Sequence, residues 1–302
     1  MNQQFLTELK AVTAENRIFT DEQMKKHTTF RVGGPADILV QPKGTELASV
    51  IRLCRKYDVP YQVIGNGSNL LVGDRGIRGL VIEMLSKEDE ICVEDDCITV
   101  GAGMLLSKTA NRAADHGLTG MEFAAGIPGS IGGAVVMNAG AYGGEMKDIL
   151  TAVTVLDQEG NEKILSAEEL ELGYRTSCIL KKGYIVTGAK IKLKHGEETA
   201  IRARMEELKK QRVEKQPLEY PSAGSTFKRP EGYFAGKLIM DAGLRGYLVG
   251  EAQVSEKHCG FVINRGNATA ADVRTLMQNV ADIVEEKFGV RLEPEVKMIG
   301  EF

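Results

Sequence analysis

The sequence predicts an α+β fold with more than one domain, and three observations lead to this prediction. At 302 residues the chain is long for a single hydrophobic core, since domains usually contain about 100–200 residues. Short alternating strand patterns are interspersed with amphipathic helix patterns along its whole length. A glycine-rich stretch near the middle, residues 120–144, holds eight of the 34 glycines.

The first part of the chain is predicted to alternate helices and strands. Apolar residues at spacings of three and four indicate the helices, and alternating apolar residues indicate the strands. Gly33, Pro35 and Pro42 interrupt the pattern as turn residues. In chain order the predicted elements are a helix over 2–16, a strand over 36–41, a helix over 44–58, strands over 61–64, 79–84, 91–94 and 97–102, and a helix over 105–118.

The second part is predicted to continue the mixture of helices and strands. Ser166 and Glu169 have the spacing of a capping box, which predicts the start of a short helix. The helix over 197–216 is rich in charge, which favours a solvated face, and Pro217 ends it. The other predicted elements are strands over 151–157, 162–165 and 184–193, a helix over 233–242, strands over 247–255 and 259–264, a helix over 269–287 and a strand over 291–299.

Composition and charge exclude several classes of protein. With 43% apolar and 26% charged residues, the chain has the composition of an ordinary soluble protein. A net charge of −4 argues against binding of nucleic acid. The sequence does not open on a secretion signal, and its five cysteines fit a reducing compartment, so we expect a cytoplasmic protein. Cys92 and Cys97 lack metal-site spacing and are expected to flank a turn at 94–96, so no metal is expected.

The glycine-rich segment, defined here as residues 120–144, carries no charge between Phe123 and Gly144. That run is long enough to span a membrane, but it has few large apolar side chains to favour insertion, so no span is expected. Clustered glycines favour close approach of the backbone to a planar or phosphorylated ligand, and a purely structural loop is the alternative. Pro128 is expected in the first turn of a helix whose free N–H groups could bind phosphate or a ring oxygen.

A second glycine loop, GNGSNLL, directly follows the predicted strand over 61–64. Backbone N–H groups in such a loop converge on anionic oxygens, so it fits a phosphate site. It is not a dinucleotide fingerprint, because Leu70 occupies the position of the third glycine and no helix follows. The sequence GAGMLLSKT at 101–109 is not a P-loop either, because Ser107 rather than glycine precedes Lys108.

Three later stretches contain candidates for chemistry. Arg175, within GYRTS, is either an anion contact or a solvated side chain. The segment 217–230 combines Ser225 with two adjacent cations, which suits a phosphate and a proton donor, or it is a turn with a basic rim. Glu293 and Glu295 are two apart on the predicted last strand, so both carboxylates should share one face.

Seven ordered blocks resemble the bacterial UDP-N-acetylenolpyruvoylglucosamine reductases, flavoenzymes that complete UDP-N-acetylmuramate for peptidoglycan. The blocks are TTFRVGGPAD, IGNGSNLLV, GMEFAAGIPGSIGGAVVMNAGAYGGE, GYRTS, PSAGSTFKRP, GEAQVSEKHCGFVIN and LEPEVKMIGE. The resemblance runs nearly end to end and implies an FAD-binding region of the vanillyl-alcohol-oxidase type over 1–200, in two subdomains of about 1–64 and 65–200. It also implies an α+β substrate-binding domain over 201–302.

The resemblance further implies roles for individual residues. Arg175, Ser225 and Glu295 match the catalytic positions of the family. FAD is expected to bind non-covalently, and NADPH is expected as a co-substrate that uses the cleft later filled by the UDP-sugar. The residues expected to bind FAD are Gly65, Asn66, Gly67, Ser68, Asn69 and Leu70 at the pyrophosphate, and Gly126, Ile127, Pro128, Gly129, Ser130, Gly132, Gly133, Asn138 and Gly140 at the flavin. Those expected to contact the substrate are Tyr174 and, at its diphosphate, Lys228 and Arg229.

Only 49 residues separate Arg175 from Ser225, too few for the substrate-capping loop of one family branch. The chain therefore resembles the shorter, second type. Two other functions stay open at this point, a different flavin oxidase on the same cofactor fold and a nucleotide-binding module without turnover. The blocks at 221–230 and 292–300 argue against the first, and the Arg–Ser–Glu set argues against the second. No pattern predicts an oligomer.

Overall fold

A computed structural model describes residues 3–85 and 91–302 of the protein. The chain forms two compact units, each built from three chain segments. Unit 1 comprises Met1–Phe19, Ile38–Asn66 and Gly79–Arg212, and unit 2 comprises Thr20–Asp37, Gly67–Arg78 and Val213–Phe302. No sequence pattern predicted the two early segments of unit 2. The division into an FAD-binding region over 1–200 and a substrate domain over 201–302 stays a prediction.

The helices and strands alternate along the chain as the patterns predict. The helices are α1 (Gln3–Val12), α2 (Gly44–Lys56), α3 (Leu106–Asp115), α4 (Ile131–Val136), α5 (Cys178–Lys182), α6 (Glu198–Lys215), α7 (Ala235–Asp241) and α8 (Ala270–Phe288). The strands are β1 (Ile18–Gln23), β2 (Pro35–Val40), β3 (Tyr61–Ile64), β4 (Leu70–Val72), β5 (Ile77–Glu83), β6 (Ile91–Glu94), β7 (Cys97–Gly101), β8 (Leu118–Thr119), β9 (Gly140–Ala141), β10 (Gly144–Glu145), β11 (Leu150–Leu156), β12 (Glu162–Ser166), β13 (Ile185–Lys192), β14 (Lys194–His195), β15 (Ser222–Ser225), β16 (Leu248–Val249), β17 (Ala252–Val254), β18 (Phe261–Asn264) and β19 (Lys297–Ile299).

Unit 1 has two hydrophobic cores. The first lies where the apolar stripes of α1 and α2 meet buried strand residues such as Ile38 and Ile82. A sheet with the order β1-β2-β5-β3 supplies those strands, and β3 and β5 run parallel. The second core covers an antiparallel sheet with the order β12-β11-β13-β7-β6, and it includes the buried faces of α3 and α4. As predicted, Cys92 and Cys97 flank the turn that joins β6 to β7.

Unit 2 is built around helix α8 and an antiparallel sheet with the order β15-β18-β17-β16. The helix buries a stripe that includes Val273, Leu276 and Val280. Thr269 caps its N-terminus, and Asp74 accepts hydrogen bonds from the N–H groups of Ala270 (2.7 Å) and Ala271 (2.9 Å). This carboxylate satisfies two of the N–H groups that a helix start leaves without a partner. The early segment 67–78 is therefore part of what holds α8 in place.

Four predicted elements differ from the observed ones. The strand predicted over 247–255 is a hairpin, because a turn at Gly250, with a φ of +55°, separates β16 from β17. Helix α1 ends at Val12, and Glu15–Arg17 form a separate 3₁₀ turn. Residue 2 and residues 86–90 lie outside the described residues. The capping box at Ser166 forms both of its hydrogen bonds, but it closes a turn because Glu171 adopts a φ of +50° and stops any helix. The last strand covers only Lys297–Ile299 instead of 291–299, because Pro294 has no N–H and forms an isolated bridge with Phe227.

Candidate active site

The loop over 65–70, predicted to be a phosphate site, follows β3 and leads into β4. Within the described residues, the backbone N–H groups of 66–69 donate to no protein acceptor. Gly67 has a φ of +60°, and a Cβ there would overlap the carbonyl oxygen of His27, so only glycine fits this position. The loop thus offers several uncommitted N–H groups on a backbone held in one conformation, which suits anionic oxygens.

The start of this loop lies against the glycine-rich segment in unit 1. The side-chain amide of Asn66 donates to the carbonyl of Pro128 (2.6 Å). A Cβ at Gly65 would overlap the hydroxyl of Ser130. The structure therefore brings together two stretches that are far apart in sequence and that are both predicted to hold FAD.

Helix α4 begins later than predicted, and its first N–H groups are already bonded. Ser130 is the N-cap and accepts from the N–H of Gly133 (3.3 Å), so Pro128 precedes the helix. Ile131 donates to the carbonyl of Met104 and Gly132 to that of Ala102, both at 2.8 Å. The prediction of free N–H groups at this helix start is wrong, because the neighbouring strand-to-helix connection before α3 supplies acceptors for them.

Packing within the protein explains several of the glycines in the glycine-rich segment. A Cβ at Gly144 would lie 2.6 Å from the ring of Phe123, and one at Gly140 would lie 2.7 Å from Glu145. Gly132 lies close to Ala102 in the same way. Gly133 is different, because it is exposed and a Cβ would meet nothing closer than 3.5 Å. Its lack of a side chain is consistent with a ligand on its outer face.

Asn138 is an internal brace of the glycine-rich segment. It is fully buried, with a φ of +41°. Its amide nitrogen donates to Glu145 (2.6 Å) and to the carbonyl of Gly173 (3.0 Å), and its amide oxygen accepts from the N–H of Lys147 (2.9 Å). The side chain is thus bonded within the protein, and any contribution to a flavin site would be indirect. The bond to Gly173 fixes the loop that carries Arg175.

Arg175 lies beside the glycine-rich segment in unit 1. Its guanidinium donates to the carbonyl of Gly140 (3.3 Å) and lies 5.0 Å from the ring centre of Tyr174. Tyr174 itself is 53% exposed. Arg175 has a φ of +54°, which a non-glycine residue rarely adopts and which is more frequent at functional sites. The structure therefore places the predicted anion contact next to the predicted flavin-lining residues.

Ser225 is an exposed residue at the end of strand β15 in unit 2. The register of β15 against β18 shifts between Ser222 and Ser225, where Gly224 has a φ of +76°. Such a bulge redirects the side chains that follow it. Thr226 anchors the end of the bulge, because its N–H bonds to Gly260 and its hydroxyl accepts from Val262 (both 2.9 Å).

The backbone of Glu295 lies next to this end of strand β15. Its N–H donates to the carbonyl of Thr226 (2.8 Å), and its own carbonyl accepts from the amide of Asn69 (3.2 Å). Unit 2 therefore brings Ser225 and Glu295 together on adjacent backbone segments. The prediction that Glu293 and Glu295 share one face of a strand is wrong, since neither is in a strand. The side-chain amide of Asn69, a residue predicted to contact FAD, holds the Glu295 backbone, and its backbone N–H stays uncommitted.

The two predicted diphosphate contacts lie at the surface of unit 2. Lys228 pairs with Glu293 at 3.0 Å, so part of its charge is compensated within the protein. The guanidinium of Arg229 lies 4.1 Å from the ring centre of Phe234, which is 60% exposed. A guanidinium stacked on an exposed aromatic ring keeps its outer N–H groups in a fixed plane.

Sequence reasoning missed one charged residue in this part of unit 1. Arg212, on helix α6, lies half-buried against Gly126, whereas the charge pattern predicted a solvated face. The signal was present in the sequence, since Ile201, Met205, Leu208 and Arg212 follow one helical stripe at spacings of four, three and four. Ile201 and Leu208 are buried, and Met205 packs against the second core of unit 1.

The residues present fit an FAD molecule. The loop at 65–70 has uncommitted N–H groups for a pyrophosphate, and exposed Gly126 and Gly133 leave the adjacent backbone accessible to a ring. In residues 3–85 and 91–302, no three or more His, Cys, Asp or Glu residues are arranged to hold a metal ion. Over the same residues, every helix is too short or too polar to cross a bilayer.

Comparison with known proteins gives matches over the whole chain. Residues 36–166 match the family described as FAD binding domain, and residues 216–299 match UDP-N-acetylenolpyruvoylglucosamine reductase, C-terminal domain. The chain is 57% identical to the UDP-N-acetylenolpyruvoylglucosamine reductase of Agathobacter rectalis, with 100% of both chains covered. It is 56% identical to that of Lachnoclostridium phytofermentans, with 100% of this chain and 99% of the relative covered.

A solved structure is also similar. The crystal structure of UDP-N-acetylenolpyruvylglucosamine reductase from Thermus caldophilus has a TM-score of 0.79 and 41% identity, over 92% of this chain and 97% of that chain. These matches confirm the predicted fold class, an α+β chain with an FAD-binding region of the vanillyl-alcohol-oxidase type and a C-terminal domain of this reductase.

Proposed function

Since the chain belongs to the UDP-N-acetylenolpyruvoylglucosamine reductase family, we propose that Arg175, Ser225 and Glu295 carry out the chemistry of its reaction. The protein is an FAD-dependent oxidoreductase that uses NADPH. It reduces the enolpyruvyl group of UDP-N-acetylglucosamine enolpyruvate to the lactyl ether of UDP-N-acetylmuramate, in peptidoglycan precursor synthesis. We infer a cytoplasmic location from these substrates, and the chain length between Arg175 and Ser225 favours the shorter, second type.

FAD, when bound, would supply hydride transfer from NADPH to the terminal methylene of the enolpyruvyl group. Two parts of the chain would hold it, the loop 65–70 at the pyrophosphate and the residues 126–133 with Gly140 at the flavin. The uncommitted N–H groups of 66–69 support the first assignment. The exposed backbone at Gly133 supports the second. Asn138 would act by bracing this backbone.

Arg175 would stabilise negative charge on the substrate. When a hydride reaches the methylene, charge develops on the adjacent carbon and its carboxylate as an enolate. A guanidinium that is already in position stabilises the transition state most strongly where such charge develops, because it needs no rearrangement at the moment of reaction. The hydrogen bond from Arg175 to Gly140 supports this role, since it holds the guanidinium in one place.

Ser225 would then deliver its hydroxyl proton to that carbon and recover a proton from solvent. A serine hydroxyl is a weak acid, so it needs neighbours that stabilise the developing oxyanion or that polarise the substrate. Glu295 would be such a neighbour, either as a protonated carboxyl or through hydrogen bonds. Tyr174, Lys228 and Arg229 would contact the UDP-sugar, with the last two at the diphosphate.

The observation that carries this proposal is the backbone hydrogen bond from Glu295 to Thr226. It places Glu295 on a backbone segment adjacent to that of Ser225, although the two residues are 70 positions apart in sequence, and the bulge beside it exposes Ser225. A nucleotide-binding module without turnover would have no use for this arrangement.

The test is a spectroscopic cycle on the purified protein. It should be yellow, should bleach when NADPH is added without oxygen, and should regain its colour when the enolpyruvyl UDP-sugar follows. Lactate and simple alcohols serve as controls on the oxidised protein, because bleaching by these would indicate a different flavin oxidase. A colourless preparation that FAD cannot reconstitute would contradict the proposal.

A further inference from the structure

Arg212 is the most unusual charged residue in unit 1. It is near the C-terminal end of α6 and continues the helical stripe of buried Ile201 and Leu208, from which Met205 packs against the second core. Arginine at such a position usually extends its stem along apolar surface and keeps its head in water or against a carboxylate. Arg212 instead lies half-buried with its stem and guanidinium against Gly126.

The guanidinium of Arg212 has no carboxylate partner in the described part of the chain, and it donates no hydrogen bond there. Other arginines of the same helix behave differently. Arg202 pairs with Glu198 and Asp115, and Arg204 pairs with Glu207. Burial lowers the pKa of Arg212, with a smaller opposing effect of Tyr142, but an arginine stays charged at neutral pH. A desolvated cation without an anion is costly unless a ligand supplies the anion.

The neighbours of Arg212 indicate which ligand that is. Gly126 is exposed, and a Cβ there would lie 3.1 Å from Cδ of Arg212 and 3.7 Å from Nη1. Tyr142, which interacts electrostatically with the guanidinium, is 37% exposed and belongs to the same glycine-rich segment. Gly126 is one of the residues proposed to line the flavin, and Tyr142 is close in sequence to another, Gly140. Any atom that binds Arg212 from the outside must therefore approach this segment.

We propose that Arg212 binds an anionic oxygen of FAD and so acts as a cofactor-binding residue supplied by α6. The proposal rests on the proposed FAD site. Two parts of FAD carry such oxygens: the flavin ring, which gains negative charge on reduction, and the pyrophosphate. The position of Gly126 and Tyr142 favours the ring, and a cation there tunes the reduction potential of the cofactor.

The test compares Arg212→Gln and Arg212→Lys with Arg204→Gln, a surface variant of the same helix. Apoprotein is titrated with FAD, and the midpoint potential of the bound cofactor is then measured by dye equilibration. Arg212→Gln should weaken FAD binding by about 10- to 100-fold, the range expected for loss of a hydrogen bond to a charged group. Arg212→Lys should recover part of this loss, and Arg204→Gln should match the unchanged protein.

The midpoint potential of bound FAD shows whether the oxygen that Arg212 binds belongs to the flavin ring or to the pyrophosphate. If Arg212 contacts the ring, Arg212→Gln lowers the potential as well, by about 30 mV for each tenfold preference for the reduced cofactor. If it contacts the pyrophosphate, the affinity falls and the potential stays unchanged. Either result supports the proposal.

An unaltered FAD affinity and potential in Arg212→Gln would overturn the proposal, even if the apoprotein melts at a lower temperature, and would assign Arg212 a structural role. If the unchanged protein binds no FAD at all, the proposed function fails first. The two failures are therefore distinguishable.

Discussion

In the glycine-rich segment of unit 1 the side chains of Asn138 and Ser130 bond to the protein itself, whereas in unit 2 the hydroxyl of Ser225 makes no hydrogen bond within the described residues. Asn138 is buried and makes three hydrogen bonds within unit 1, and Ser130 is used as a helix cap. Ser225 is exposed, and its strand is held by the hydrogen bonds of Thr226. Unit 1 thus presents backbone to a ligand, and unit 2 presents a hydroxyl.

This difference agrees with the roles proposed for the two regions. A flavin ring is bound by close backbone approach, so small residues and internal braces are useful there. Proton transfer needs a side chain that reaches the reacting atom, so its support must come from neighbouring residues. Substitutions in the two regions should accordingly fail in different ways: loss of stability or cofactor in unit 1, and loss of one chemical step in unit 2.

The largest expected effect is in unit 2. Ser225→Ala should slow reoxidation by the enolpyruvyl substrate by about 10²–10⁴-fold, the usual contribution of a general acid, because the carbon then lacks its proton donor. Bleaching by NADPH should stay nearly unchanged. Both half-reactions can be followed separately by stopped-flow absorbance of the flavin.

Ser222→Ala is the matched control, since Ser222 begins the same strand and its hydroxyl makes no hydrogen bond within the described residues. It should leave both half-reactions unchanged. If Ser225→Ala slowed both half-reactions equally, Ser225 would not be the proton donor, and its role would be structural like that of Asn138 in unit 1.

The second prediction concerns the brace in unit 1. Asn138→Ala removes three hydrogen bonds from a buried amide and leaves an alanine at a φ of +41°. At about 1 kcal/mol net for each bond, we expect a loss of about 3 kcal/mol in the free energy of unfolding. Because one bond fixes the carbonyl of Gly173, the Arg175 loop should also become more accessible to proteolysis. Chemical denaturation and limited proteolysis measure the two effects.

Asn111→Ala is the control for this prediction. Asn111 is exposed on α3 and bonds only to the carbonyl of Ser107, so its replacement should change the stability by less than about 0.5 kcal/mol. Equal stability of Asn138→Ala and Asn111→Ala would show that the internal bonds of unit 1 are not what holds its backbone.

The contrast between the units also explains what could be predicted from sequence. Local patterns identified most helices and strands, and the sequence blocks PSAGSTFKRP and LEPEVKMIGE identified Ser225 and Glu295 as candidates. Such patterns do not predict contacts between residues that are far apart in sequence. Asp74 caps a helix that begins at Ala270, and Asn69 binds the backbone of Glu295, and neither contact leaves a local signal. The first N–H groups of α4 were predicted to be free because the acceptors, at Ala102 and Met104, come from another part of the chain.

Substitutions at Gly133 and Gly132 test whether the flavin lies against this backbone. Their expected effect on stability is smaller than that of Asn138→Ala. Gly133→Ala places a methyl group on an exposed helical position without a clash, so the apoprotein should gain about 0.5–1 kcal/mol of stability. The same methyl group should weaken FAD binding if the flavin lies against this backbone. Gly132→Ala should instead destabilise the apoprotein, because its Cβ would lie 3.1 Å from that of Ala102. Thermal unfolding and FAD titration of both variants distinguish packing from ligand approach.

The smallest expected effect concerns pH and unit 2. Burial lowers the pKa of His258 below its usual value of 6.5, and the ring nitrogen Nδ1 accepts from the N–H of Gly260, whose carbonyl in turn holds Thr226. The unfolded chain binds a proton more readily than the folded one, so stability is full above about pH 6.5 and falls as the pH drops toward the folded pKa. His258→Asn keeps a hydrogen-bond acceptor but does not titrate. The part of the stability that is lost at low pH through His258 should therefore be retained in this variant. Unfolding curves from pH 8 to pH 5 measure it, with pH 8 as the reference where both forms are neutral. If the free energy of unfolding of His258→Asn fell with pH as steeply as that of the unchanged protein, protonation of His258 would not be the cause of the loss.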